Sequence, residues 1–194
     1  MTWLFGMQGE DGKRLSRPLL RRAAALAWGW RALPELARSG RGKPYFRHWP
    51  ERWFSLSHSG GLTLCALSDD GPVGVDVEVE RPRRPGLMAY ALSPAEQAAC
   101  RGDWGEFYRL WTLKESLSKL SGEGISAFRR IRLKQLDEHI FCSDYSAVKL
   151  KYFGNISGYA CAAAGAGVEN SEIECISVEK ILEFAKEMGY NKRA

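Results

Sequence analysis

The amino-acid sequence predicts an α+β fold in which two similar α+β halves each pack a small antiparallel sheet on helices. Strands are indicated by apolar and polar residues that alternate, as in segment 74–80, and helices by apolar residues on one helical stripe, as in segment 17–37. An internal repeat supports the duplication, because segments 53–67 and 152–163 both contain an aromatic-led strand, a short turn and a strand with Cys-Ala at its centre. Coincidence between short alternating strands is the alternative explanation.

The predicted division of this pseudo-dimer gives an N-terminal half at residues 1–73 and a C-terminal half at residues 74–194. The first half opens with a strand at 1–5, which the helix at 17–37 follows, and the second half opens with the strand at 74–80. Clefts between similar units are common places for binding sites. We therefore expect the active site in the cleft between the halves.

Three more helices are predicted in the second half. Ser93 and Pro94 are residue types typical of an N-cap and of the first helical position. The next helix begins at residue 103 or 104, carries a broad apolar stripe to residue 120 and is stopped by Gly122. A terminal helix is expected at 176–189.

Length and composition are those of an ordinary globular protein. The chain has 194 residues, of which 45% are hydrophobic and 26% charged, so it can bury a substantial core. No apolar run is long enough to cross a bilayer, and the first residues lack the features of a secretory signal. The 5 cysteines are scattered without a Cys-x-x-Cys pair, which indicates reduced thiols. We expect a cytoplasmic protein with no membrane partner.

The net charge of +5 is concentrated in the first fifty residues. Such a basic segment suits an anionic nucleotide cofactor and an acidic protein partner, and equally suits nucleic acid. Nucleic acid is disfavoured, because the basic residues are not interleaved with aromatic residues that stack on bases and no nucleic-acid module signature occurs. The simpler alternative is that most of these arginines form the solvated face of one helix.

Two acidic residues of the strand at 74–80 are candidate metal ligands. Strand geometry places the carboxylates of Asp76 and Glu78 on the same face, about 7 Å apart, where a hard divalent cation relieves their repulsion. A helical segment adds Glu115 and Lys119, which lie four residues apart and therefore on one helical face. The alternatives are a half-exposed strand edge with its acids in water and an ordinary surface ion pair.

Segment 57–61, Ser-His-Ser-Gly-Gly, is a candidate phosphate cradle. Its glycines permit close approach of backbone N–H groups to an anion, and its hydroxyls and imidazole can complete the contacts. A hairpin turn with a capping serine is the alternative. Upstream, Lys43 is followed by Pro44, which stiffens the loop; a lysine in such a loop is otherwise an ordinary solvated residue.

In this order, the motifs resemble those of the 4′-phosphopantetheinyl transferases of the larger, pseudo-dimeric, surfactin-synthetase-activating type. Each motif alone is weak, and the specificity of the resemblance comes from four of them at plausible spacings over about residues 42–125. The matching motifs are Gly42-Lys43-Pro44, Ser57-His58-Ser59-Gly60, Gly74-Val75-Asp76-Val77-Glu78 and the segment 111–119.

The resemblance implies transfer of the 4′-phosphopantetheine arm of coenzyme A to a serine of an apo carrier protein, with release of 3′,5′-ADP. Asp76, Glu78 and Glu115 are then the ligands of Mg²⁺. Glu115 is also the implied base, acting directly or through a metal-bound water. Lys119 is implied to face the pyrophosphate.

The resemblance also implies where coenzyme A binds. Lys43 with Pro44 in its loop, and His58 with Ser57 beside it, are expected to contact the coenzyme A phosphates, His58 at the 3′-phosphate. Arg14 is a candidate for a further basic contact, as is Arg17.

The implied partners are coenzyme A and an acidic acyl, peptidyl or aryl carrier protein. A monomer is expected, because a duplicated chain forms its own cleft. Since the first half is shorter than in many relatives, the alternative function is a catalytically degenerate module that binds coenzyme A or a carrier protein.

Overall fold

The computed structural model describes residues 1–189 except residues 11, 85, 125–127, 129 and 145. It is a mixed α+β structure, as predicted. The strands are β1 (Thr2–Gln8), β2 (Leu36–Arg38), β3 (Pro44–Phe46), β4 (Trp53–Ser59), β5 (Leu62–Ser68), β6 (Gly74–Val79), β7 (Leu133–Gln135), β8 (Ile140–Ser143), β9 (Ser146–Phe153), β10 (Tyr159–Gly165) and β11 (Ile173–Cys175). The helices are α1 (Gly12–Trp28), α2 (Gly86–Ala91), α3 (Pro94–Cys100), α4 (Trp104–Ser121) and α5 (Val178–Glu187).

Two sheets with related strand orders form the centre of the molecule. The first has the order β11-β1-β5-β4 and the second the order β6-β10-β9-β8-β7. In both, an opening strand (β1 or β6) pairs antiparallel with the second strand of a later hairpin (β5 or β10). The two hairpins, β4–β5 and β9–β10, cover the segments of the internal repeat noted in the sequence.

The core lies in layers between these sheets and their helices. Alternate residues of β5 point to opposite faces: Leu64 packs between the sheets with Val75 and Val77 of β6, whereas Cys65 packs beneath α1. The outer face of the second sheet is covered by α4, whose Leu113 and Leu117 are fully buried. This layering leaves β4 and β6, the edge strands of the two sheets, next to each other.

The first helix differs from its predicted bounds of 17–37. It begins at Gly12, and the chain leaves it at Gly29, which has a φ of +69°, a conformation that glycine adopts without strain. Residues 36–38 form β2, which pairs antiparallel with β3. Of the apolar residues after 28, Leu36 and Ala37 therefore lie in a small two-stranded sheet, whereas Trp30 and Leu33 lie in the loop before it and pack against the core beneath α1.

The C-terminal segment packs on the first sheet, not on the second. Strand β11 pairs parallel with β1, and Ile176 and Ile181 are buried in the same cluster as Phe5 of β1. The predicted half at 74–194 includes this segment, and the division of the chain into two halves stays a prediction. The other predicted helices are found: α3 has the capping box of Ser93, α4 ends at Gly122, and α5 lies within the predicted range 176–189.

All five cysteines are free. In the described ranges, each helix is too short or too polar to cross a lipid bilayer.

Candidate active site

Helix α4 lies directly against β6 because Gly74 has no side chain. A Cβ atom at Gly74 would come within 1.9 Å of the carbonyl oxygen of Ser116 and within 2.7 Å of the amide nitrogen of Leu120. This close approach places the α4 face that carries Glu115 and Lys119 over the polar face of β6. The polar face of the strand is therefore covered by a helix, not by water.

Asp76, Lys119 and Ser57 form a compact polar cluster at this contact. The ammonium of Lys119 donates to Asp76 Oδ1 at 2.7 Å and to Ser57 Oγ at 2.8 Å, and Ser57 Oγ donates to the same carboxylate oxygen at 2.8 Å. Asp76 is only 2% exposed. A buried carboxylate needs such partners, since an unpaired charge in the interior is costly.

Three serines of β4 join the edges of the two sheets. The hydroxyls of Ser55, Ser57 and Ser59 accept hydrogen bonds from the backbone N–H groups of three alternate valines on β6, at 3.1, 3.3 and 3.1 Å. Ser59 also donates to Glu78 Oε2 at 3.0 Å, as Ser57 does to Asp76. The sequence analysis did not assign this role to the serines. Its signal is serine at every second position of a strand, matching acids at every second position of another.

Burial raises the pKa of all three acidic side chains, and repulsion by neighbouring carboxylates adds to this effect for Glu78 and Glu115. For Asp76, burial raises the pKa, against the opposing effects of Lys119 and Ser57. For Glu78, burial and then the Asp76 charge raise the pKa. For Glu115, burial, Asp76 and Glu78 raise the pKa to about 7, with Lys119 opposing them. The three carboxylates therefore experience one another's charge.

Two carboxylate oxygens in this cluster fit a hard cation. Asp76 Oδ2 and Glu115 Oε2 are buried without a hydrogen-bond partner in the described part of the chain. They come from two different elements, and buried carboxylate oxygens without partners suit Mg²⁺, which prefers oxygen ligands. The described residues contain no group of three or more His, Cys, Asp or Glu side chains already arranged around a metal position. The donor type therefore fits the metal, and a closed three-ligand geometry is not formed.

A pocket of about 290 Å³ brings together residues from the first and second predicted halves. Lys43 and Pro44 line it from the β2–β3 region, and Glu115 and Lys119 line it from α4. The other lining residues are Arg41, Gly42, Phe54, Ser55, Leu56, Ser118, Gly122 and Gly124.

The ammonium of Lys43 already has partners in this pocket. It donates to the carbonyl oxygen of Leu120 at 2.8 Å, near the end of α4, and to that of Val73 at 3.3 Å. Burial lowers the pKa of Lys43 to about 8. Lys43 thus connects the loop before β3 to the end of α4 by a hydrogen bond, and this contact stabilises one wall of the pocket.

His58 and Arg14 lie on the other face of the first sheet. Neighbouring residues of a strand point to opposite faces, so His58 points away from Asp76 while Ser57 points towards it. The Cβ atom of His58 lies beside Gly12, the first residue of α1, and Arg14 is exposed in the same helical turn. The structure therefore does not place His58 and Arg14 around the pocket that Lys43 and Glu115 line. Their predicted contacts to coenzyme A, like that of Ser57, stay predictions.

Comparison with protein families shows what the segment that carries these acidic residues is similar to. Residues 72–164 match the model of the 4′-phosphopantetheinyl transferase superfamily. The matched segment includes Asp76, Glu78, Glu115 and Lys119. This segment is similar to that superfamily, which confirms the resemblance predicted from the sequence motifs.

Individual relatives agree with this family. A 4′-phosphopantetheinyl transferase AcpT of Salmonella typhi is 40% identical over 97 residues, which is 46% of this chain and 50% of the relative. A 4′-phosphopantetheinyl transferase of Bacillus subtilis is 35% identical over 125 residues, 60% of this chain and 55% of the relative. The AcpT protein of Escherichia coli K12 is 38% identical over 122 residues, 59% of this chain and 62% of the relative. The chain thus spans about half to three fifths of the length of these relatives.

Proposed function

We propose that this protein transfers the 4′-phosphopantetheine arm of coenzyme A to a serine of an apo carrier protein and releases 3′,5′-ADP. The observation that carries the proposal is the convergence of Asp76, Glu78, Glu115 and Lys119 where α4 packs on β6, with Glu115 and Lys119 lining the pocket, within the segment that matches the transferase superfamily. A module that only binds a ligand has no need of three neighbouring carboxylates that are wholly or partly buried, because their burial costs stability.

The residues of the cluster suit this reaction. Asp76, Glu78 and Glu115 would hold Mg²⁺, which when bound neutralises charge on the phosphoryl oxygens. Glu115 accepts the proton of the attacking serine hydroxyl, a role that suits a carboxylate whose pKa is raised to about 7. The new bond joins the serine oxygen to the phosphorus, the bond to 3′,5′-ADP breaks, and Lys119 stabilises the charge on the leaving pyrophosphate oxygen.

Coenzyme A is proposed to bind along the wall that Lys43 and Pro44 form, with His58, Ser57 and Arg14 as further phosphate contacts. Lys43 retains a proton on most molecules at neutral pH, because its pKa is lowered only to about 8. The exposed imidazole of His58 and the basic α1 face are accessible to an anionic group. The excess of Lys and Arg in the first fifty residues suits steering of both coenzyme A and an acidic carrier protein.

We further propose a pseudo-dimeric architecture with the site at the seam of its halves. In support, both sheets place the opening strand beside the last strand of a hairpin, and β4 meets β6 where the acids lie. A monomer then suffices, because one chain supplies both walls. The five free cysteines suit a reducing compartment such as the cytoplasm.

A mass-spectrometric assay tests the transferase activity. The protein is incubated with coenzyme A, Mg²⁺ and several apo carrier proteins, and the expected result is the pantetheine mass increment on a carrier serine. Glu115→Gln should lose transfer, by about a hundredfold or more if Glu115 is the general base. Glu106→Gln is the matched control, because Glu106 is an exposed residue of the same helix. Tight coenzyme A binding without an increment on any carrier would instead support the binding module.

A further inference from the structure

Lys119 contacts the acidic cluster, which consists of the carboxylates of Asp76, Glu78 and Glu115. Its ammonium contacts Asp76 Oδ1 and Ser57 Oγ, at 2.7 and 2.8 Å, although the side chain also lines the pocket and is 28% exposed. A lysine on an exposed helical face gains little from one ion pair, and here it reaches inward to a carboxylate that is almost fully buried. The ammonium therefore neutralises part of the charge of the cluster.

The ammonium of Lys119 alone does not balance the charge of the three carboxylates or provide a partner for each of their oxygens. When all three carboxylates are ionised, they and the lysine carry a formal charge of about −2, which is the charge that one divalent cation balances. Asp76 Oδ2 and Glu115 Oε2 also lack partners in the described residues. A divalent cation among these oxygens would lie within a few ångströms of the ammonium on Asp76 Oδ1, where two positive charges repel strongly.

We propose that Lys119 is an exchangeable counter-ion: without a divalent cation its ammonium holds Asp76 and Ser57, and with one it leaves Asp76 and faces the pocket. This inference rests on the proposed function, since it uses the proposed metal ligands. It adds a competition between a lysine of the chain and the cation for one carboxylate group, that of Asp76. It also explains how one side chain can stabilise the metal-free protein and serve an anionic substrate in the pocket.

The inference predicts that removal of the ammonium tightens binding of a divalent cation in the absence of coenzyme A. Mn²⁺ is the probe, and the free ion is measured by electron paramagnetic resonance during titration of the protein. Lys119→Met should lower the dissociation constant by about fivefold or more, the size of an ordinary coupling between two sites. A simple loss of a useful residue would weaken binding or leave it unchanged.

Lys43→Met is the matched control. Lys43 lines the same pocket and carries the same charge, but among the described residues its ammonium contacts the carbonyl oxygens of Leu120 and Val73 and no carboxylate. We expect Lys43→Met to change the dissociation constant by less than about twofold, because only a screened, long-range repulsion between the ammonium and the cation is lost. An equal tightening in both variants would overturn the exchange, since general electrostatics would then account for it.

Folding and metal binding are checked separately. Lys119→Gln, which can keep a hydrogen bond to Ser57, is the second variant if Lys119→Met does not fold, and it should also bind Mn²⁺ more tightly. Both variants should melt at a lower temperature than the natural protein in EDTA and gain more from Mn²⁺. If the natural protein binds Mn²⁺ and both Lys119 variants bind it with the same affinity, the exchange is overturned but the proposed metal ligands are not. Absence of Mn²⁺ binding in every protein would overturn the proposed metal ligands as well.

Discussion

Glu115 shows how neighbours define the chemistry of a single side chain. Burial, Asp76 and Glu78 favour its neutral form, and Lys119 favours its charged form. The result is a pKa of about 7, close to the pH at which a general base works best. A glutamate on an exposed helical face would lack this burial and these neighbours, so the packing of α4 on β6 gives Glu115 its raised pKa.

The stability of the metal-free protein should report this raised pKa. Because the folded state holds the Glu115 proton up to about pH 7 and the unfolded state only to about 4.5, the folded state binds more protons between these values. The contribution of Glu115 to stability is thus complete below pH 4.5 and lost as the pH rises through 7. Glu115→Gln should stabilise the protein at pH 8, by at most about 3 kcal/mol, and have little effect at pH 4.

Thermal unfolding in EDTA at a series of pH values from 4 to 8 measures this difference. Glu106→Gln, on the exposed face of the same helix, should shift the melting temperature by a similar small amount at every pH. A melting-temperature difference between Glu115→Gln and the natural protein that does not grow with pH would contradict the raised pKa.

The sequence predicted which acidic side chains share a face of an element, but it did not predict the hydrogen-bond partners of the neighbouring residues. Asp76 and Glu78 share a face because strand residues repeat every two positions, and Glu115 and Lys119 share one because helix residues repeat about every four. The same alternation separates Ser57 from His58, so one phosphate cradle of adjacent residues does not form at the acidic cluster. Whether Ser57 would face a phosphate or Asp76 depends on which strand lies beside β4, and that is a long-range contact.

At the scale of elements, the contact between α4 and β6 aligns the site. The serines of β4 fix β6 from one side, and the missing side chain of Gly74 admits α4 from the other. Short-range patterns predicted both elements, since the cap of α4 and the alternation in β6 are local signals. The end of α1 was harder to predict, because apolar residues after 28 continue the helical stripe in sequence while they pack in β2 and its surroundings.

Gly74→Ala should separate α4 from β6. The added methyl group would lie 1.9 Å from the backbone carbonyl oxygen of Ser116, which cannot rotate away, so the helix must move. We expect a loss of at least about 2 kcal/mol of stability and a large loss of transfer activity. Gly40→Ala is the control, because its added methyl group meets nothing within 4 Å. Chemical denaturation of both variants measures the cost, and equal stabilities would contradict the role of Gly74.

At the scale of the whole molecule, the first sheet and the second depend on each other. Leu64 of β5 packs with Val75 and Val77 of β6 in one cluster, so neither sheet buries its inner face alone. The chain then returns to the first sheet, where β11 extends the edge of β1 and α5 packs against α1. The predicted boundary at residue 74 lies where the chain first passes from the first sheet to the second. The pairing of β11 with β1 was not predicted from the sequence, since β11 has three residues and β1 is about 170 residues away in the chain.

Ile181→Ala tests whether this return stabilises the whole molecule. Ile181 is 1% exposed in the core beneath α1, so its truncation should cost about 2 to 5 kcal/mol. Leu182→Ala is the control on the same helix, because Leu182 is 47% exposed and should cost less than about 0.5 kcal/mol. Since the two sheets share a core, amide hydrogen exchange in Ile181→Ala should accelerate in β10 of the second sheet as well as in β1. Acceleration confined to α5 and β11 would mean that the C-terminal segment opens by itself and that the sheets are stable without it.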